Sequence, residues 1–268
     1  MSDWLRFQIT FQTIKDTFKI AVILALLFAG ISVMYSAAFP AFKGMLEDMV
    51  AGFGETFNFI PGATDMGSYV GFLNIELYQI FFILILALII GFIAATQISK
   101  EIEAKTIDIF LSNPISRKQI VLEKYLGMIP LILIINFATL AAVAGITVAI
   151  GEEVNFGDLV MTHIVAIPYF LAIASMGFLV SVIIDEKMKA SIILMGIVVG
   201  MFVFRSLSLM IPDYEKLGLI SITHYYNPYE ILIKETVDPN GVAVLIGVCI
   251  VCLIIAMFYF EKRDIAVA

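Results

Sequence analysis

Six stretches of predominantly apolar residues, each roughly 20 long, constrain this chain more than any other feature. A helix crossing the hydrocarbon of a bilayer needs about that length, and the runs at 20–39, 77–98, 126–150, 164–184, 190–211 and 242–260 all reach it. The first holds no ionisable residue. The second is polar only at Gln79, Thr96 and Gln97, the third carries Pro130 and Asn136, and the fourth has Pro168 near its start. The fifth must pass Arg205 to reach Ile211, which predicts an irregular or tilted outer end. Backbone in lipid has to satisfy its own hydrogen bonds, so the predicted class is an all-α integral membrane protein, one transmembrane domain over residues 1–268. Hydrophobic residues make up 61% of the chain and charged ones 15%, against roughly 45–50% and about 25% in soluble domains. Disorder and a small disulfide scaffold are excluded on the same ground.

The first run is longer than the roughly 7–15 residues of a signal-peptide core and follows 19 residues that include Asp3 and Asp16. It reads as a retained span. Orientation follows from Lys and Arg in the short loops. Of the 16 basic residues, 12 fall in the N-terminus, the loops after spans two and four, and the C-terminus. The expected arrangement is therefore a multi-pass protein of the cell membrane with both termini cytoplasmic. The net charge of −7 argues against a nucleic-acid partner, which would require a basic face. On this topology the inner segments sum to +2 and the outer ones to −9, so the acidity belongs to the outer face.

The segments between spans carry their own patterns. Within 1–19, Trp4, Phe7, Phe11, Ile14 and Phe18 recur at three- and four-residue steps. Such a stripe predicts an interfacial amphipathic helix lying among lipid headgroups; packing on another protein surface is the alternative. In the outer loop 40–76, Phe42, Met45, Leu46, Met49, Val50, Phe53 and Phe57 form another stripe, read as an outer-surface helix or as a cap over an exit. The outer segment between spans five and six contains His224, Tyr225, Tyr226 and Tyr229. Aromatic residues with polar tips suit the membrane–water boundary; a substrate-contacting rim is the sharper alternative. His163 and His224 offer a metal two ligands at most. Cys249 and Cys252 have C-x-x-C spacing, but inside span six they lack the polar, accessible setting that thiolate chemistry requires, so no metal is assigned. Asn136 and Gln79 could line a pathway, although interhelical hydrogen bonding is the simpler role for such residues.

The cytoplasmic stretch 99–125 holds the most information. Glu101, Glu103, Lys105 and Asp108 open it on a helix prolonging span two, and Ile102, Ile109, Phe110 and Leu111 give it apolar contacts. Pro114 ends that helix. Ser116 and Gln119 then form an S-x-x-Q capping box that starts a new helix into span three. The result is a rigid elbow of mixed charge, suited to docking against a protein groove with charges fixing the register.

In this elbow the chain resembles the permease subunits of ABC-2 type exporters. The pattern is acidic residues, Thr, a hydrophobic–acidic pair, Leu-Ser/Thr-x-Pro-hydrophobic-Ser-Arg, a hydrophobic pair and Lys. Here it runs Glu101, Glu103, Thr106, Ile107, Asp108, Leu111, Ser112, Pro114, Ile115, Ser116, Arg117, Ile120, Val121 and Lys124. Where many members have Gly before the Thr, this chain has Lys105. The resemblance implies that the elbow docks on a separate ATPase subunit, present in two copies, and that a second permease copy, as a homodimer, completes the assembly. A paralogous permease in place of the second copy would look much the same in sequence, so a heterodimer stays open. The resemblance also implies that Asp185, Glu186 and Lys187 in the loop after span four make a second ATPase contact.

Two observations from the residues favour ATP-driven export without catalysis on this chain. No Gly-x-x-x-x-Gly-Lys-Ser/Thr phosphate loop occurs, so MgATP would bind the partner and no cofactor is expected here. Asp, Glu, Lys, Arg and His are also missing from the span cores as delimited above, whereas ion-coupled carriers keep such groups there. An ATP-independent secondary transporter or channel is the alternative. A membrane-embedded enzyme is disfavoured by the lack of H-E-x-x-H and G-x-S-x-G motifs.

Overall fold

A computed structural model describes residues 7–53, 60–106, 115–211, 216 and 218–263. All regular structure among them is helical, with six helical segments long and apolar enough to cross a membrane. The main elements are α1 (Gln8–Phe53), α2 (Tyr69–Leu73), a π-helix (Asn74–Leu86), α3 (Ala87–Ala95), α4 (Ser99–Glu103), α5 (Arg117–Ile150), α6 (Phe156–Ile183), α7 (Lys187–Met210), α8 (Pro228–Leu232) and α9 (Pro239–Lys262). α1 packs along α5, while α6 lies at the centre against α3, α5, α7 and α9. Consecutive crossings alternate, and the start of α1 and the end of α9 both meet the start of α5, at what is here called the terminal end of the bundle.

α1 is longer than the sequence pattern indicates. The amphipathic segment, the first span and the start of the loop at 40–76 form one continuous helix of 46 residues that runs through Pro40. Tertiary packing explains why proline does not stop it: Phe39 is wholly buried, its ring 5.4 Å from those of both Tyr69 and Phe72. In the first turns the face turned into the protein is Ile9, Thr13 and Thr17, while Phe7, Phe11 and Phe18 stay exposed. Trp4 and Phe57 lie outside the described residues.

The close approach of α1 and α5 depends on Gly127. A Cβ there would sit 2.6 Å from Thr13 Cβ and 3.1 Å from the Thr10 carbonyl oxygen. Small residues permit this kind of backbone contact where lipid supplies no hydrophobic drive between helices.

The second crossing contains the least regular backbone. Thirteen residues, Asn74–Leu86, form a π-helix, a conformation seen mostly as single-turn bulges. Its wider i→i+5 turn keeps Tyr78 and Phe82 together on one side and Ile75, Gln79 and Ile83 together on another. Tyr169 secures it by donating its hydroxyl proton to the Ile83 carbonyl at 2.7 Å. A turn at 96–98 then separates α3 from α4, so α4 does not simply prolong the second span as the pattern suggests. The amide donors exposed by that break, Ile98 N and Ser99 N, both donate to Ser181 Oγ, at 2.9 and 3.0 Å.

Candidate functional site

At the terminal end, charged side chains from one helix satisfy the backbone ends of another. Helix termini leave orphan N–H and C=O groups, and carboxylates suit N-termini as cations suit C-termini. Glu123, buried on α5, accepts from Ile9 N at 3.2 Å and Thr10 N at 3.4 Å at the start of α1. Glu103 accepts from Lys187 N at 2.8 Å and so caps the start of α7. Arg117 donates to the carbonyls of Phe260 and Arg263 at the end of α9. Arg263 donates to the Val182 carbonyl at the end of α6 and pairs with Asp185 at 2.6 Å.

The elbow residues fall into this constellation wherever they are described. Glu101 pairs with Lys124 at 2.6 Å, with only 14% and 4% of the two side chains exposed, which ties α4 to α5. Lys105 has φ +54°, in the left-handed region where glycine is favoured. It closes a Schellman turn: Lys105 N donates to Ile102 O at 3.0 Å and Thr106 N to Glu101 O at 2.9 Å. The backbone at this position therefore has the conformation a glycine would take. Ser116 caps α5 by accepting from Gln119 N at 3.2 Å, while the Gln119 amide donates to Glu123 Oε1 at 2.7 Å. Ile107, Asp108, Phe110, Leu111, Ser112 and Pro114 lie outside the described residues.

Of the loop after the fourth crossing, Asp185 meets Arg263, Glu186 pairs with Lys189 at 2.6 Å, and Lys187 meets Glu103. The two loops named as ATPase contacts thus adjoin each other. Sequence reasoning passed over Glu123, Gly127 and Arg263. The available signal was a Glu-Lys pair and a glycine entering an apolar run, at 123–127.

Towards the opposite end lies a buried polar cluster. Asn136 Nδ2 donates to the His163 carbonyl at 2.9 Å, so its Oδ1 is the acceptor for His163 Nδ1 at 3.0 Å. His163 Nε2 then accepts from the Tyr78 hydroxyl at 3.0 Å. α6 begins at Phe156, so His163 sits inside that helix, fully buried, one position before the fourth apolar run as read from the sequence. With both ring nitrogens engaged, it bridges three crossings. Asn136 is accordingly an interhelical bond maker. Gln79 is not part of this cluster.

Gln79 instead lines a cleft towards the end opposite the terminal one, with Tyr226, which stacks on Tyr169 at 5.2 Å and is completely buried. His224 and Tyr225 line an adjoining chamber, and the Tyr225 hydroxyl donates to the Leu219 carbonyl at 2.6 Å. Cys249 contacts Tyr125, sulfur to hydroxyl 2.9 Å.

Compared with known proteins, residues 12–265 match a family model described as ABC-2 family transporter protein. A search of curated proteins gave no match.

Proposed function

The chain belongs to the ABC-2 transporter family, and from that premise we propose that it is the membrane subunit of an ATP-driven exporter whose ATP is hydrolysed on a separate subunit. The ATPase docks on the terminal end, which is cytoplasmic in this reading. Two permease copies and two ATPase copies make the working assembly, and MgATP binds only the ATPase. Cargo leaves at the opposite, outer end.

The observation that carries the coupling assignment is the hydrogen bond from Lys187 N to Glu103. It joins two loops 84 residues apart in sequence into one surface. A partner pressing on that surface acts on the start of α7 through Glu103 and on the start of α1 through the elbow helix that bears Glu123. Movement of the docked subunit would thereby reach two crossings together. An ion-coupled carrier would draw on the buried His163, but its ring is engaged on both sides by uncharged partners.

The test is co-purification with a phosphate-loop ATPase, sought first in the neighbouring open reading frame. The pair should hydrolyse ATP and the chain alone should not. Replacing Glu103 and Asp108 with Lys, or Pro114 with Ala, should release the ATPase and leave membrane insertion intact. Robust hydrolysis by the isolated chain, or undiminished capture by all three variants, would refute the assignment.

A further inference from the structure

We propose that the central helix α6 keeps the cleft open by imposing π pairing on crossing two, with Tyr169 and His163 as the positioning residues. Only the origin of the motion, a docked ATPase, rests on the exporter reading.

A π-helix is ordinarily a single-turn bulge, so thirteen residues of it require a cause. The local sequence holds none. Residues 74–86 contain neither Gly nor Pro, and both flanks are α-helical, with Leu73 at φ −58°, ψ −41° and Ala87 at φ −60°, ψ −41°. The cause lies in tertiary contacts. His163 Nε2 bonds the Tyr78 hydroxyl at 3.0 Å, and the Tyr169 hydroxyl enters the ladder by donating to the Ile83 carbonyl at 2.7 Å. A side chain inserted there is a recognised source of helix irregularity. Tyr78 and Ile83 are five residues apart. Such residues share a side of a π-helix but stand about 140° apart around an α-helix. With Tyr78 tied to His163, α pairing would carry the Ile83 carbonyl away from Tyr169.

The same stretch is one wall of the cleft. Ile75, Gln79, Ile80 and Ile83 line it together with Phe202 and Leu209 of α7. Passing from π to α pairing turns the helix on one side of the changed residue against the other side. α3 is the fixed side: a Cβ on Gly177 of α6 would lie 2.6 Å from Ala94 Cβ and 3.1 Å from Ala95 N, so the two backbones touch. The turn therefore falls on Ile75, Gln79 and Ile80 and breaks up the wall they make. Tyr169 also stacks on Tyr226 at 5.2 Å, a second wall residue, so one α6 side chain holds two sides of the cleft.

α6 connects this grip to the terminal end. It runs without a break to Ile183, just before the loop of Asp185 and Glu186. At 1.5 Å per residue, Tyr169 stands about 21 Å up the helix from Ile183. A partner moving that loop thus moves both groups that hold the π-helix, and the cleft narrows when either is drawn away.

The experiment uses the purified chain in dodecyl maltoside without its ATPase. Histidine pairs report the pairing through their affinity for copper(II): Ile80→His with Ile85→His, five apart, and Ile80→His with Leu84→His, four apart. Copper should prefer the five-apart pair on the wild-type background. Tyr169→Phe keeps the ring and its stack on Tyr226 and loses only the hydroxyl. On that background the preference should fall between about twofold and tenfold, the shift that one hydrogen bond produces. In a chain with Cys249→Ala, Cys252→Ala and Ile80→Cys, labelling by a small thiol reagent should slow by a like factor when Tyr169→Phe is added. A wild-type preference for the four-apart pair, a preference unchanged by Tyr169→Phe, or labelling that does not follow it overturns the proposal. Should Tyr169→Phe fail to fold, Tyr78→Phe removes the other tie, and the same three results decide. No ATPase enters, so a negative result leaves the exporter reading standing, and failed co-purification leaves this one standing.

Discussion

The Glu123 carboxylate and the Ile9 amide, 114 positions apart in the sequence, meet in a buried hydrogen bond of 3.2 Å at the start of the first helix. A residue on α5 thus does for α1 what an N-cap serine does for its own helix, and it adds a negative charge at the positive end of the dipole.

Glu123→Ala leaves two amide donors without their partner in a buried setting, a loss of about 1–3 kcal/mol. Glu123→Gln retains an acceptor and forfeits the charge, worth about 0.3–1 kcal/mol. Thermal inactivation of the detergent-solubilised chain should rank wild type above Gln and Gln above Ala. A wild-type midpoint for Glu123→Ala would show that the cap contributes nothing.

Gly127→Ala should destabilise, although alanine is the better helix former by about 1 kcal/mol. The new Cβ would press on Thr13 Cβ and on the Thr10 carbonyl, part of the α1 backbone. Overpacking of this kind costs about 1–3 kcal/mol. Adding Thr13→Gly removes the nearest atom, so the double variant should recover part of the loss in the same melting assay. Stabilisation by the single variant would mean that α1 and α5 pack less closely than described.

The Glu101–Lys124 pair gives a different pattern. Removing one partner takes the nearest opposite charge from the other in a largely buried place, a loss of about 3–5 kcal/mol. Glu101→Leu and Lys124→Met should each destabilise strongly, whereas the two together should lie near wild type. A double-mutant cycle measures this directly, and additive losses would contradict it.

The sequence revealed most where a pattern is periodic and local. The six crossings follow from apolar length alone, and the Ser116 cap follows from S-x-x-Q. It misled where packing overrides local preference. The first apolar run ends at residue 39, yet Phe39, packed against Tyr69 and Phe72, carries α1 on through Pro40. The conspicuous Phe7, Phe11 and Phe18 stripe points outward, and the quieter Ile9, Thr13 and Thr17 stripe makes the contact. The π-helix has no periodic signature that distinguishes it from an apolar α-helix. Glu123 and Glu103 were legible as charges but not as caps, since a cap made by another helix depends on pairings far apart in the chain. Asn136 bonds to His163, an interhelical pairing that depends on residues 27 positions apart, and His163 lies two turns inside a helix that begins seven residues before it.

The bond between Glu103 and Lys187 N can be removed from either side, which separates its role from that of the charge. Glu103→Gln keeps the side-chain shape and weakens the acceptor. Lys187→Pro deletes the donor at the first position of α7, where proline's fixed φ is compatible with a helix start. The preceding Glu186 is already extended, with φ −92° and ψ 117°, as a residue before proline prefers. Both variants should therefore insert and fold. If the bond transmits motion from the docked ATPase to α7, each should retain ATPase co-purification and lose several-fold of its cargo-stimulated hydrolysis. The double variant should then be no worse than the more impaired single one, because both changes break the same link. Full stimulation in Lys187→Pro would show that coupling bypasses this bond. Stepwise losses in the double variant would assign Glu103 and Lys187 to separate contacts with the partner.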